Sequence, residues 1–83
     1  MSTKQKYTQK LLLALIGKKK DLQNKTLSAV YEMGIEGDFS RTGDKKIDMI
    51  LEKLLEDDEM PDIVGDIHSL LEKKIKTHLI KNT

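Results

Sequence analysis

The stretch Ile47-Asp48-Met49-Ile50-Leu51-Glu52-Lys53-Leu54-Leu55 decides the fold class. Its residues Ile47, Ile50, Leu51, Leu54 and Leu55 recur at i, i+3, i+4, i+7 and i+8, which lays one apolar stripe along an α-helix. No segment of the chain carries the β-branched alternation of a strand. Asp44 or Thr42 stands upstream as a cap, because a short side-chain oxygen can accept a hydrogen bond from an unpaired N–H of the first turn. Downstream the run enters Glu56-Asp57-Asp58-Glu59, whose charges oppose the partial negative charge of a helix C-terminus. A helix is therefore predicted over 44–57.

Pro61 suits the first turn of the next helix, where its missing N–H costs nothing, and Asp62 and Asp66 favour a positive N-terminal end. Ile63, Val64, Ile67, Leu70, Leu71, Ile75 and Leu79 fall within about half the circumference. Lys73, Lys74, Lys76 and Lys81 lie in the second half, where the helix dipole favours cations, so this helix is predicted over 61–80. Gly65 faces away from the stripe.

Upstream, GIEGDFSRTG at 34–43 holds three of the five glycines and no stripe, and reads as a loop anchored by Ile35 and Phe39. Before it, Leu22, Thr26, Ala29, Val30 and Met33 share a face of a helix over 21–33, with Leu27 and Tyr31 beside them. Gly34 fits the left-handed residue that closes many helices, with Ile35 placed to touch Val30. The first helix, over 3–16, starts at Ser2 or Thr3, carries Tyr7, Leu11 and Leu15 with Leu12 and Ile16 widening the stripe, and ends near Gly17.

A chain of 83 residues makes one domain, 1–83, which buries only roughly 60% of its unfolded surface. Four amphipathic helices must each cover a stripe, so the expected fold is an all-α, up-and-down or orthogonal bundle. With no cysteine there is no disulfide, no thiolate nucleophile and no thiolate zinc site to support the thin core. The longest apolar run, Leu11 to Ile16, is far short of the roughly 20 residues of a membrane span. Lys18, Lys19, Lys20 and Asp21 stand where a secretory cleavage site would need small residues, so a cytoplasmic, soluble protein is expected.

The net charge of +1 hides a pattern: residues 1–20 carry +6, residues 21–43 carry −2, residues 44–66 carry −6 and residues 67–83 carry +3. Lys4, Lys6, Lys10, Lys18, Lys19 and Lys20 form a candidate basic contact surface. Glu56, Asp57, Asp58, Glu59 and Asp62 form a candidate acidic one. In an up-and-down bundle the lysines at 18–20 would face this acidic cluster, and Lys4, Lys6 and Lys10 would join the late lysines of the last helix.

No nucleophile with a base, no paired carboxylates and no phosphate cradle emerge, so no catalytic residue and no enzyme activity are expected. Gly43 is followed by Asp44, not by the Lys and Ser/Thr of a phosphate loop. Glu36, Asp38, Ser40, Thr42 and Asp44 alternate like calcium ligands, but counting from Asp38, Lys46 and Met49 occupy the ninth and twelfth positions, where oxygen ligands belong. His68 and His78 stand ten residues apart and cannot share a metal. His78 falls in the apolar stripe, as a packed or interfacial histidine able to make stability depend on pH near neutrality. No metal and no cofactor is expected. Nucleic-acid contact would be backbone contact through lysine, since Arg41 is the only arginine.

The segment ILEKLLEDDEMPDIVGDIHSLLEKK, residues 50–74, resembles the last two helices of bacteriocin immunity proteins of the enterocin A type. The resemblance covers under a third of the chain and implies a cytoplasmic helical bundle. From the residues themselves, Leu12, Leu13, Leu27, Leu55 and Ile80 lie beside or outside the main stripes. Such a surplus points to a non-enzymatic protein that binds another protein, or a second copy of itself, as regulator, inhibitor or adaptor. The alternatives are an immunity-type bundle protein, and attachment to nucleic acid or an anionic surface through the Lys-rich N-terminal region.

Overall fold

A computed structural model of the chain describes residues 2–79, leaving aside the side chains of His78 and Leu79. Four helices follow one another: α1 (Thr3–Leu15), α2 (Lys20–Glu36), α3 (Lys45–Glu56) and α4 (Met60–Lys74), the last continuing into a π-helical turn, Ile75–Leu79. The all-α, four-helix architecture expected from the stripes is what forms. The predicted end of the last helix at residue 80, Ile80 itself and the surroundings of the His78 side chain lie outside the described residues.

The local signals act as their chemistry requires. Ser2 caps α1 in a reciprocal box: its hydroxyl accepts from the Gln5 N–H and its own N–H donates to the Gln5 side chain, both at 3.3 Å. Asp44 caps α3 by accepting from the Ile47 N–H at 3.0 Å. Pro61 lies in the first turn of α4.

One boundary departs from the sequence reading. Helix α2 does not stop at Gly34 but runs three residues further, to Gly37, which takes the left-handed conformation (φ 72°) and donates its N–H to the Met33 carbonyl at 3.1 Å. Gly34 lies within the helix and faces α4, where a Cβ would stand 3.4 Å from the Val64 side chain, in van der Waals contact. Ile35 consequently sits within the helix and is 65% exposed, so it does not anchor the following segment. Phe39 does pack against the core.

Helix α4 is central, packing on both α1 and α2. Leu11 and Leu15 of α1, Val30 and Met33 of α2, Ile47, Leu51 and Leu54 of α3, and Ile67 and Leu71 of α4 are essentially inaccessible to water. Thr26 is equally buried and donates to the Leu22 carbonyl, so its hydroxyl is satisfied within the helix. Ile16, expected to widen the α1 stripe, instead stands 56% exposed beyond the last helical residue.

Side-chain contacts define the helix directions. Tyr7 near the start of α1 reaches Lys53 and Asp57 at the end of α3, and Lys18 beyond the end of α1 pairs with Asp44 at the start of α3. These two helices are antiparallel. Lys4 pairs with Asp66, and Gln9 and Leu12 lie by Leu70 and Lys74, so α1 and α4 run in the same sense. Val64 lies by Gly34 and His68 by Tyr31, with ring centroids 5.8 Å apart, so α2 and α4 are antiparallel. The order is up, down, down, up.

Two successive helices with the same direction require a connection that returns along their full length. A helix the length of α2 is about 25 Å long, and eight extended residues reach about 26 Å. Residues 37–44 make this return along α2: Ser40 donates to Glu32 at 3.1 Å, and Thr42 and Gly43 lie near Leu22 and Lys25. Arg41 stacks over Phe39 at 5.2 Å and pairs with Glu52.

Gly65 lies inside α4, where a Cβ would meet nothing within 4 Å. Gly65→Ala is therefore expected to stabilise the fold by about 1 kcal/mol and to raise the melting temperature by about 4–8 °C. Thermal unfolding followed by circular dichroism measures it, and an unchanged or lower midpoint would contradict an open helical site.

Candidate binding surface

The helix directions rearrange both charge clusters expected from the sequence. Lys18, Lys19 and Lys20 share an end of the molecule with the first turn of α3, the last lysines of α4, Lys73 and Lys74, and Lys76 of the π-helical turn. They do not face Glu56, Asp57, Asp58, Glu59 and Asp62. That acidic cluster lies instead at the end occupied by Lys4 and Lys6. Expected mutual neutralisation across one pole is thus replaced by a basic end and an acidic end, because α3 and α4 enter the bundle with the opposite polarity to simple alternation.

Within the acidic turn, Asp57 has structural partners. One carboxylate oxygen accepts from the Glu59 N–H at 2.8 Å and the other from the Tyr7 hydroxyl at 3.2 Å. Glu56, Asp58, Glu59 and Asp62 are exposed. Lys4 is tied to Asp66 at 3.3 Å and Lys18 to Asp44 at 3.5 Å, so the six lysines predicted as one basic surface are divided among separate settings.

Lys10 has a different neighbourhood. It lines a groove of about 370 Å³ between α1 and α3, together with Leu13, Ala14, Lys46, Met49, Ile50 and Lys53. Leu13 is 61% exposed and Met49 54% exposed, whereas Leu12, Leu27 and Leu55 of the surplus apolar set pack against the core. Every titratable side chain lining the groove is a lysine, and among the described residues none of the three makes an ion pair. Met49 was not legible as a site residue: it falls off the α3 stripe, and its neighbour Leu13 belongs to another helix.

A second apolar depression, about 270 Å³, lies between α2 and α4 and is lined by Tyr31, Ile35, Val64, Gly65 and His68 among others. The alternating oxygens of 36–44 do not converge. Asp38 accepts from the Phe39 N–H, Ser40 donates to Glu32, Thr42 donates to Asp48 and Asp44 caps α3. Among the described residues no three His, Asp or Glu side chains are grouped to hold a metal ion. No helix among them is long and apolar enough to cross a membrane.

Among the described residues two groups are shifted from their ordinary values. The hydrogen bond from the Ile47 N–H, helped by the Lys18 ammonium, outweighs partial desolvation and holds Asp44 below 3.8. Burial, then the charge and hydrogen bond of Asp57, then the charge of Glu56, push Tyr7 above 10.0. Asp44 thus stabilises the fold fully above its unfolded value, a contribution lost as pH falls through its depressed folded value. The Tyr7 contribution is full below pH 10.0 and lost as pH rises through its raised folded value. In Tyr31→Phe, where Tyr7 is the remaining tyrosine, the ultraviolet tyrosinate titration should have its midpoint above 10.0, and Asp57→Ala should lower it.

Comparison with protein-family models, curated proteins and solved structures finds no match to this chain.

Proposed function

We propose that this protein acts by binding another protein, as a regulator, inhibitor or adaptor in the cytoplasm, and that it catalyses no reaction. The observation that carries this reading is the α1/α3 groove, which Leu13 and Met49 both line while standing more than half exposed. Large exposed apolar side chains grouped from two helices, among charged residues, are characteristic of interaction surfaces. The resemblance of residues 50–74 makes protection against a bacteriocin the specific inhibitor role to examine.

The test is affinity capture from the native cell with wild-type protein and with a Leu13→Glu/Met49→Glu variant, alongside light scattering for mass. A specific protein held by the wild type and lost by a variant with unchanged helical content supports the reading. No partner at all, from a strictly monomeric protein, counts against it.

The gathering of Lys18, Lys19 and Lys20 with the late α4 lysines favours one second reading, backbone contact with nucleic acid or an anionic surface. It would use this end of the molecule, not Lys4 and Lys6. Binding that weakens with rising salt and is lost in Lys18→Glu/Lys19→Glu/Lys20→Glu would support it, and no binding even at low salt would remove it.

A further inference from the structure

The groove between α1 and α3 has a composition that selects its occupant. Its apolar lining is Leu13, Ala14, Met49 and Ile50, and its charged lining is Lys10, Lys46 and Lys53. Resting on the protein-binding reading, we propose that it receives an acidic amphipathic helix of a partner protein, apolar face inward and carboxylates toward the three lysines.

Charge complementarity carries the choice. No carboxylate lines the groove to neutralise the lysines, and none of the three is paired among the described residues. A basic segment would therefore bring like charges together over an apolar contact that excludes water, which disfavours it. A glutamate- or aspartate-bearing segment supplies the missing partners and also gains faster association by steering.

The dimensions suit a helix. On α3, Lys46 to Lys53 spans about 10 Å, or two helical turns. Exposed Met49 lies between them, with Leu13 across the groove on α1. A helix lying there would present apolar anchors at i, i+3 or i+4, and i+7, and carboxylates on its flanks. Lys10 lies on one side of the groove and Lys46 and Lys53 on the other, so both flanks of the docked helix would meet positive charge.

The probes are three fluorescent peptides: an acidic amphipathic helix of leucine and glutamate, the same peptide with lysine for glutamate, and a scrambled acidic peptide with no apolar face. Anisotropy should show binding of the first alone, with amide chemical shifts moving around Leu13 and Met49. Lys10→Glu/Lys46→Glu/Lys53→Glu should weaken it roughly tenfold or more, while the corresponding arginine variant retains it. Leu13→Glu should also abolish binding without loss of helical content.

Equal binding of the basic or scrambled peptide, or shifts centred elsewhere, would overturn the proposal. So would a mass that rises with concentration and is restored to monomer by Leu13→Glu, or groove-dependent binding to anionic vesicles or duplex DNA in preference to the acidic helix. A cellular partner lost by Leu13→Glu/Met49→Glu but kept by the lysine reversals would leave protein binding standing and refute the acidic helix. Acidic-helix binding as described, with no protein held in the native cell, would uphold the groove's chemistry and count against the broader functional reading.

Discussion

Leu71→Ala is expected to cost about 2–5 kcal/mol, the range for truncating a fully buried leucine whose surroundings relax only in part. Leu71 is inaccessible to water on α4, the helix that packs on both α1 and α2. A chain of this length has a total stability of roughly 4–12 kcal/mol, so this one change removes a large fraction of it. The melting temperature should fall by about 10 °C or more. Leu13→Ala provides the control: Leu13 is 61% exposed, and its truncation should stay within about 0.5 kcal/mol of the wild type. Denaturant unfolding of the two variants compares them directly. Equal losses would mean that α4 does not occupy the centre of the bundle.

Asp48→Ala should be the most damaging polar substitution, at about 1–3 kcal/mol, because it strands two donors at once. One Asp48 carboxylate oxygen accepts from the Thr42 N–H at 2.9 Å and from the Thr42 hydroxyl at 2.8 Å, and Thr42 is only 5% exposed. These bonds fasten the end of the returning segment 37–44 to the first turns of α3. Gly43, in the left-handed region at φ 95°, makes the turn that lets Thr42 bond Asp48 while Asp44 caps the same helix. Hydrogen exchange at the Thr42 amide should accelerate in Asp48→Ala, with the centre of α4 affected far less. Asp48→Asn, which keeps an acceptor, should lose less. Adding Thr42→Val to Asp48→Ala removes the stranded hydroxyl but also the acceptor of the Asp44 N–H at 3.3 Å, so the double variant should lose less than the sum of the two single losses. Full additivity of the two changes would contradict the bond.

The helices were legible because their causes are local. A stripe at i, i+3 and i+4 states which face is buried, and the oxygens of Ser2 and Asp44 lie three residues from the N–H groups they cap. Gly34 shows where local reasoning reaches its limit. A glycine followed by Ile35 carries the mark of a helix end, yet Gly37 carries the left-handed turn and Gly34 faces Val64 of a helix thirty residues away. By the apolar residue that follows it Gly34 is the better local match, since Gly37 precedes Asp38, and the packing of α2 on α4 carries the helix past it.

The candidate surface was less legible for the same reason. Leu13 and Lys10 could be singled out from their positions on α1, but their association with Lys46, Met49 and Lys53 required knowing that α3 lies antiparallel beside them. The charge blocks likewise announced themselves in the chain, while their arrangement in space followed from helix direction. Read with alternating directions, the blocks neutralise one another; read with α2 and α3 in the same direction, they separate into a basic end and an acidic end.

By itself the amino-acid sequence determined that this protein is all-α, where its four helices lie to within a few residues, and which stripe of each is buried. These follow from contacts between residues close in the chain. Tertiary structure alone decided the direction of α3, the separation of the charges and the pairing of Leu13 with Met49. The reason is that segment 37–44 is long enough either to turn back tightly or to run the length of α2, and the choice rests on the distant partners that hold it: Glu32, Glu52 and Asp48.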